Sequence, residues 1–106
     1  MRGAALILIG ALAACSPQQV IEDATRQTAG SVVQPILARH MQAAQADGVT
    51  RCILDAASLE ELRGLAQDVG AYDSPRARSS VAALGQRPAA LACINAAGLP
   101  QLPLVL

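Results

Sequence analysis

The sequence predicts an all-α fold, a small bundle of four or five short helices. Apolar residues recur at the three- and four-residue spacing of a helix face, and no run alternates with the period of two that a half-buried strand needs. Helix starts are marked at Ser58, Ser74 and Pro88, and helix ends at Gly70, Gly85 and Gly98. There is no Phe or Trp and a single Tyr, Tyr72, so the core must be Leu, Ile and Val, with Ala letting helices approach closely. Such a core buries little area per residue. In a chain of 106 residues it is marginal on hydrophobic burial alone, and a covalent constraint would help.

At the N-terminus, Arg2 precedes an uncharged apolar run from Ala4 to Ala14, broken only by Gly10. The run is too short to span a bilayer, which takes about 20 apolar residues, but suits a secretory signal, whose apolar region is about 7–15. It ends in Leu12-Ala13-Ala14-Cys15. This stretch resembles the lipobox of bacterial lipoproteins. The resemblance implies a signal peptide over residues 1–14, cleavage between Ala14 and Cys15, and covalent diacylglyceryl and acyl chains on Cys15. Asp at the next position would resemble the inner-membrane retention signal of enteric bacteria; Ser16 therefore points to the outer membrane. A single acyl chain holds only marginally, at about 0.8 kcal/mol per buried methylene, and two or three chains exceed that hold. The implied location is the cell envelope, with the domain in the periplasm and the membrane contacted through the lipid. The competing reading is an ordinary cleaved secretory signal in which Cys15 is incidental.

The remaining elements follow in order. Residues 15–30 read as a lipidated tether that becomes helical, polar except for a thin stripe of Val20, Ile21 and Ala24, and loosened at Gly30-Ser31. Residues 31–98 read as the helical domain. Val32, Val33, Ile36, Leu37 and Met41 repeat at helical spacing, although Pro35 should kink or restart that helix, which is expected to run to about Ala46 before Asp47-Gly48 ends it. Val49 to Ala56 is a short helical piece. Ser58 with Glu61 matches a capping box, opening a face of Leu59, Leu62, Leu65, Ala66 and Val69 that stops at Gly70. Ser74-Pro75 is an N-cap followed by a first-turn proline, and that helix runs to Gly85. Pro88 opens the last helix, which Gly98 ends. Residues 99–106, "LPQLPLVL", form an apolar tail in which Pro100 and Pro103 forbid a continuous helix. The tail reads as a strap over the core or as a hydrophobic peptide offered to a partner.

If Cys15 carries lipid, Cys52 and Cys93 remain as an even pair of thiols in a compartment where disulfides persist. The lipoprotein assignment thus implies a Cys52–Cys93 disulfide. Two buried reduced thiols are the competing reading, and metal binding by the two cysteines with His40 is a third. "CILDAASL" at Cys52 and "CINAAGL" at Cys93 align with one residue dropped, a degenerate helical repeat or a coincidence of an alanine-rich chain.

Chemistry-bearing sets are sparse. Basic residues number eight against eight acids, all the basic ones are Arg, and they are scattered, which argues against nucleic acid recognition. No nucleophile–base set, metal cluster or phosphate-binding glycine pattern is recognisable, so no catalytic or metal residue and no cofactor beyond the lipid is assigned. His40, the one imidazole, reads as a polar-face or helix-terminal residue. Glu60-Glu61 suit a helix N-terminal turn, and Arg76 and Arg78 read as solvated. The mature part is similar, in length, cysteine placement and the "QRPAA" turn before Cys93, to small uncharacterised lipoproteins of alphaproteobacteria, some of which carry a succinate dehydrogenase label. The dinucleotide fingerprint, iron–sulfur cysteine set and haem-bearing membrane helix of that chemistry are missing from the sequence. The expected role is a non-enzymatic structural or interaction module contacting another envelope component. The alternatives are an enzyme or accessory subunit built around His40 and an acidic residue, or a small-ligand binder between helices.

Overall fold

A long helix can pass through a glycine and a proline if packing on either side of them offsets the local cost. A computed structural model describes residues 17–70 and 74–106, and its first helix, α1 (Pro17–Leu37), does this at both Gly30 and Pro35. Pro35 sits in the last turn, so the N–H it lacks costs a single ladder bond. Val32, Val33, Ile36 and Leu37 on either side of it are all buried. At Gly30 a Cβ would make only an ordinary contact with Leu54 Cδ1, at 3.4 Å, so packing alone does not call for a glycine there.

Three boundaries therefore differ from the sequence reading. The boundary at Gly30-Ser31 falls inside one continuous helix, held on its far side by buried Val32 and Val33. The segment carrying Pro35 ends at Leu37, not near Ala46, and a turn closed by His40 N–H donating to the Leu37 carbonyl at 2.9 Å follows it. Asp47-Gly48 lies within the next helix, α2 (Ala43–Ala56). There the glycine answers a distant contact: a Cβ at Gly48 would lie 2.8 Å from Leu99 Cδ1. The α2 N-terminus is held by Gln45, whose side chain accepts from the Gln42 N–H at 3.3 Å.

The next three helices start where the sequence marks them. In α3 (Leu59–Ala66) the capping box forms: Ser58 Oγ accepts from the Glu61 N–H at 3.2 Å, and Glu61 Oε1 accepts from the Ser58 N–H at 2.9 Å. After Ala66 the chain tightens into a turn that reaches Gly70 at φ +85°, and Val69, expected on the buried face, is exposed as a result. In α4 (Pro75–Gly85), Ser74 Oγ accepts from the Ala77 N–H at 3.1 Å, with Pro75 in the first turn. Pro88 likewise opens α5 (Pro88–Ala96). Gly98 at φ +67° closes α5 in a Schellman motif, in which Leu99 N–H donates to the Ile94 carbonyl at 3.0 Å and Gly98 N–H to the Asn95 carbonyl at 3.1 Å.

The described residues are all-α, without strands, as the sequence predicts, and a Cys52–Cys93 disulfide joins α2 to α5. The second half of α1 packs against α2 and α3, and α2 against α5 and α4. Leu37, Ile53, Leu65, Ile94, Val32, Val33, Val49 and Val81 are fully enclosed. The tail takes the course of a strap. Leu102 is buried, Leu99 and Leu106 pack on the core, and Leu104 and Val105 stay exposed. Two helical glycines receive it: Gly48 lies under Leu99, and a Cβ on Gly85 would collide with Leu102 Cδ1. No helix among the described residues is long and apolar enough to cross a membrane.

Candidate functional site

The start of α5 is where the chemistry-bearing residues converge. Cys52, almost wholly buried, and half-buried Cys93 form a disulfide with Cα atoms 5.5 Å apart, which excludes both the free-thiol and the metal readings of this pair. Each cysteine is followed by a fully enclosed isoleucine, Ile53 and Ile94. The two Cys-Ile pairs thus each supply one sulfur and one core side chain.

Six residues before Cys93, Arg87 occupies the N-cap position of α5 and sends its side chain back across the bundle. Its Nη1 donates to Glu61 Oε1 at 2.7 Å and to the Ala56 carbonyl at 3.1 Å, and its Nη2 donates to Glu61 Oε2. A guanidinium matched to both carboxylate oxygens is the stronger geometry for such a pair. The Arg87 hydrogen bond, reinforced by the Ser58 backbone N–H, lowers the Glu61 pKa from its ordinary 4.5 to about 2, and Glu61 in turn pushes the Arg87 pKa further up. Glu61 is thus ionised throughout the physiological range with both oxygens engaged, a poor general acid or base. What the arrangement does is mechanical. It ties the end of α2 and the start of α3 to the start of α5, beside the covalent tie between α2 and α5.

Sequence reasoning placed Glu61 correctly in the first turn of α3 but missed its pairing with Arg87. The available signal was weak: an arginine directly before a helix-opening proline, 26 residues after the glutamate.

Beside this latch a cleft of about 250 Å³ opens between α3 and α4, rimmed by Glu61, Arg76, Ser80 and Arg87. It is smaller than the usual small-molecule pocket of about 300–1,000 Å³. Arg76 is exposed, as expected. Arg78 is not fully solvated: it is half-buried beside Leu104, Val105 and Leu106, and its Nε is enclosed with no hydrogen-bond partner among the described residues. His40 is exposed in the turn after α1, and the structure brings it to neither the latch nor the cleft. No group of three or more His, Cys, Asp or Glu among the described residues is placed to hold a metal. Ala14 and Cys15, the expected cleavage and lipidation positions, lie outside the described residues. No protein-family model, curated protein or solved structure matches the chain.

Proposed function

We infer that the protein is a lipid-anchored envelope lipoprotein whose folded part is a non-enzymatic, disulfide-clamped interaction module on the periplasmic side, with Ser16 favouring the outer membrane. The observation that carries this reading is the division of the cysteines. Cys52 and Cys93 are consumed by one disulfide, and Cys15 is left at the end of Leu12-Ala13-Ala14, the context of a lipidated cysteine. The polar residues that converge in the fold support the same reading. Glu61 and Arg87 are spent on each other, on the N-terminus of α3 and on the Ala56 carbonyl that ends α2.

Metabolic labelling with an alkyne palmitate tests the anchor. The native chain is expected to incorporate label, Cys15→Ala to lose it, and Cys52→Ala to keep it; an unlabelled native chain sinks the reading. A growth or envelope-integrity assay separates module from enzyme. His40→Ala should behave as the native protein while Cys15→Ala should not, and the opposite pattern would favour the enzyme or accessory-subunit reading.

A further inference from the structure

The first two turns of α1 project from the bundle. Gln19 through Ala24 are all exposed, and Ala29 is the first residue of the helix to enter the core. From Pro17 to Ala29 the helix rises about 18 Å. Two of the projecting residues are large and apolar, Val20 at 67% and Ile21 at 57% exposure. At about 100° per residue, Val20, Ile21 and Ala24 share an arc about 100° wide, and that arc is turned about 120° from the arc of Ala29, Val32, Val33 and Ile36. The centre of the stripe is therefore turned off the core arc, with Ile21 at its near edge about 20° from Val32; all three residues are exposed, and no element of the described fold covers them. Glu22 falls on the bundle side of the helix, and Arg26 is turned to α2, where it pairs with Asp55.

We propose that Val20, Ile21 and Ala24 seat the first turns of α1 in the interfacial layer of the membrane that carries the lipid anchor. The proposal rests on the anchored reading above and deepens it. What commits the stripe to a lipid surface is the length of chain between it and Cys15. Only Ser16 intervenes before the helix starts at Pro17, a reach of at most about 7 Å. Val20 and Ile21 follow within about 6 Å of helical rise. Both therefore fall within reach of the interfacial layer above an acylated Cys15, where amphipathic helices bury their apolar faces about 5–10 Å deep. Because the stripe is exposed and centred off the core arc, the first turns can rest on the bilayer while the bundle stands clear of it. The domain is then held close to the membrane in one orientation, and its partner must be reachable from that surface.

The chain contains no Trp, so a single introduced Trp reports its own surroundings. The full chain carrying Ile21→Trp or Val20→Trp is expressed, processed and reconstituted into phosphatidylethanolamine–phosphatidylglycerol vesicles, with Leu104→Trp, exposed in the tail, as the reference. With brominated acyl chains, Trp at position 21 or 20 is expected to lose about half or more of its emission, as an interfacial depth requires, while Trp at 104 keeps nearly all of its own. Equal emission at all three positions in protein whose mass shows a lipidated Cys15 overturns the membrane seat and leaves the anchor standing. An unlipidated Cys15 overturns both. Protection of position 21 that grows with protein concentration and is indifferent to bromination assigns the stripe to a second copy of the chain and also overturns the proposal.

Discussion

Between Gln19 and Ala24 every residue of α1 is exposed, whereas from Ala29 onward the same helix sends Ala29, Val32, Val33, Ile36 and Leu37 into the core. The two halves differ in what keeps them helical. The distal half is anchored by tertiary packing, which meets the unfavourable cost of starting a helix; the proximal half extends it, gaining one ladder bond per residue fixed. The Arg26–Asp55 pair ties the helix to the end of α2 where the two halves meet. Just beyond it Thr25, Thr28 and Ser31 bond back to carbonyls of the same helix, through Thr25 Oγ1 to Ile21 at 2.8 Å, Thr28 Oγ1 to Ala24 at 2.9 Å and Ser31 Oγ to Thr28 at 2.6 Å. These hydroxyls satisfy themselves locally and ask nothing of the bundle. A projecting arm and a core helix are thus made from one uninterrupted backbone, and the difference lies wholly in which side chains find partners.

Substitutions at the two ends should separate accordingly. The largest loss is expected where the core end is closed covalently. The disulfide spans a sequence separation of 41, for which the loop-entropy treatment gives about 4 kcal/mol as an upper figure. Cys52→Ala with Cys93→Ala should therefore lower the urea midpoint more than any single change, without altering lipid labelling at Cys15. Next, Leu37→Ala removes a fully enclosed side chain and should cost about 3 kcal/mol, while Ile21→Ala on the arm should stay within about 0.5 kcal/mol. Equal losses at positions 37 and 21 in the same denaturation assay would erase the distinction between the two halves.

Acid unfolding probes the latch that holds α3 and α5 together. Glu61 has its folded pKa lowered from 4.5 to about 2. The stability it contributes is thus fully present above the unfolded value and is lost as pH falls from about 4.5 toward 2. Glu61→Gln should flatten the pH dependence of the midpoint in that window and leave the slope near neutrality unchanged. The smallest effect belongs to the exposed Arg26–Asp55 tie. Asp55→Asn breaks an exposed pair and should cost less than about 1 kcal/mol, less still at high salt.

Elements whose boundaries are set by neighbouring residues in the chain were readable before the fold was known. Ser58 with Glu61, Ser74 with Pro75, Pro88 and Gly98 all mark the ends they were expected to mark, because caps, first-turn prolines and left-handed glycines act within a few residues, whereas the helix expected to reach Gly70 stops at Ala66 and Gly70 closes the turn after it. What could not be read depended on partners far away in sequence. Gly48 looks like a breaker locally but serves Leu99, and Gly30 is carried within a helix whose Ala29, Val32 and Val33 are buried. Pro35 was tolerated because four neighbours are buried, which no local pattern reveals. The Val20, Ile21 and Ala24 stripe has the periodicity of a core-facing surface, yet is exposed, since periodicity reports amphipathicity and not what covers the apolar side. The candidate site was half legible: the two cysteines and Glu61 were visible, but Arg87 emerged only once α5 was laid across the end of α2.

The division of labour among the three cysteines is the claim on which location, architecture and orientation all depend. It is tested most directly by the intact mass of protein extracted from membranes, alkylated first without and then with reductant. The account predicts a chain beginning at Cys15 that carries acyl mass, takes up no alkylating agent before reduction, and takes up label at Cys52 and Cys93 alone afterwards. A chain with an unmodified Cys15 thiol, or with Cys52 or Cys93 alkylated before reduction, would contradict it.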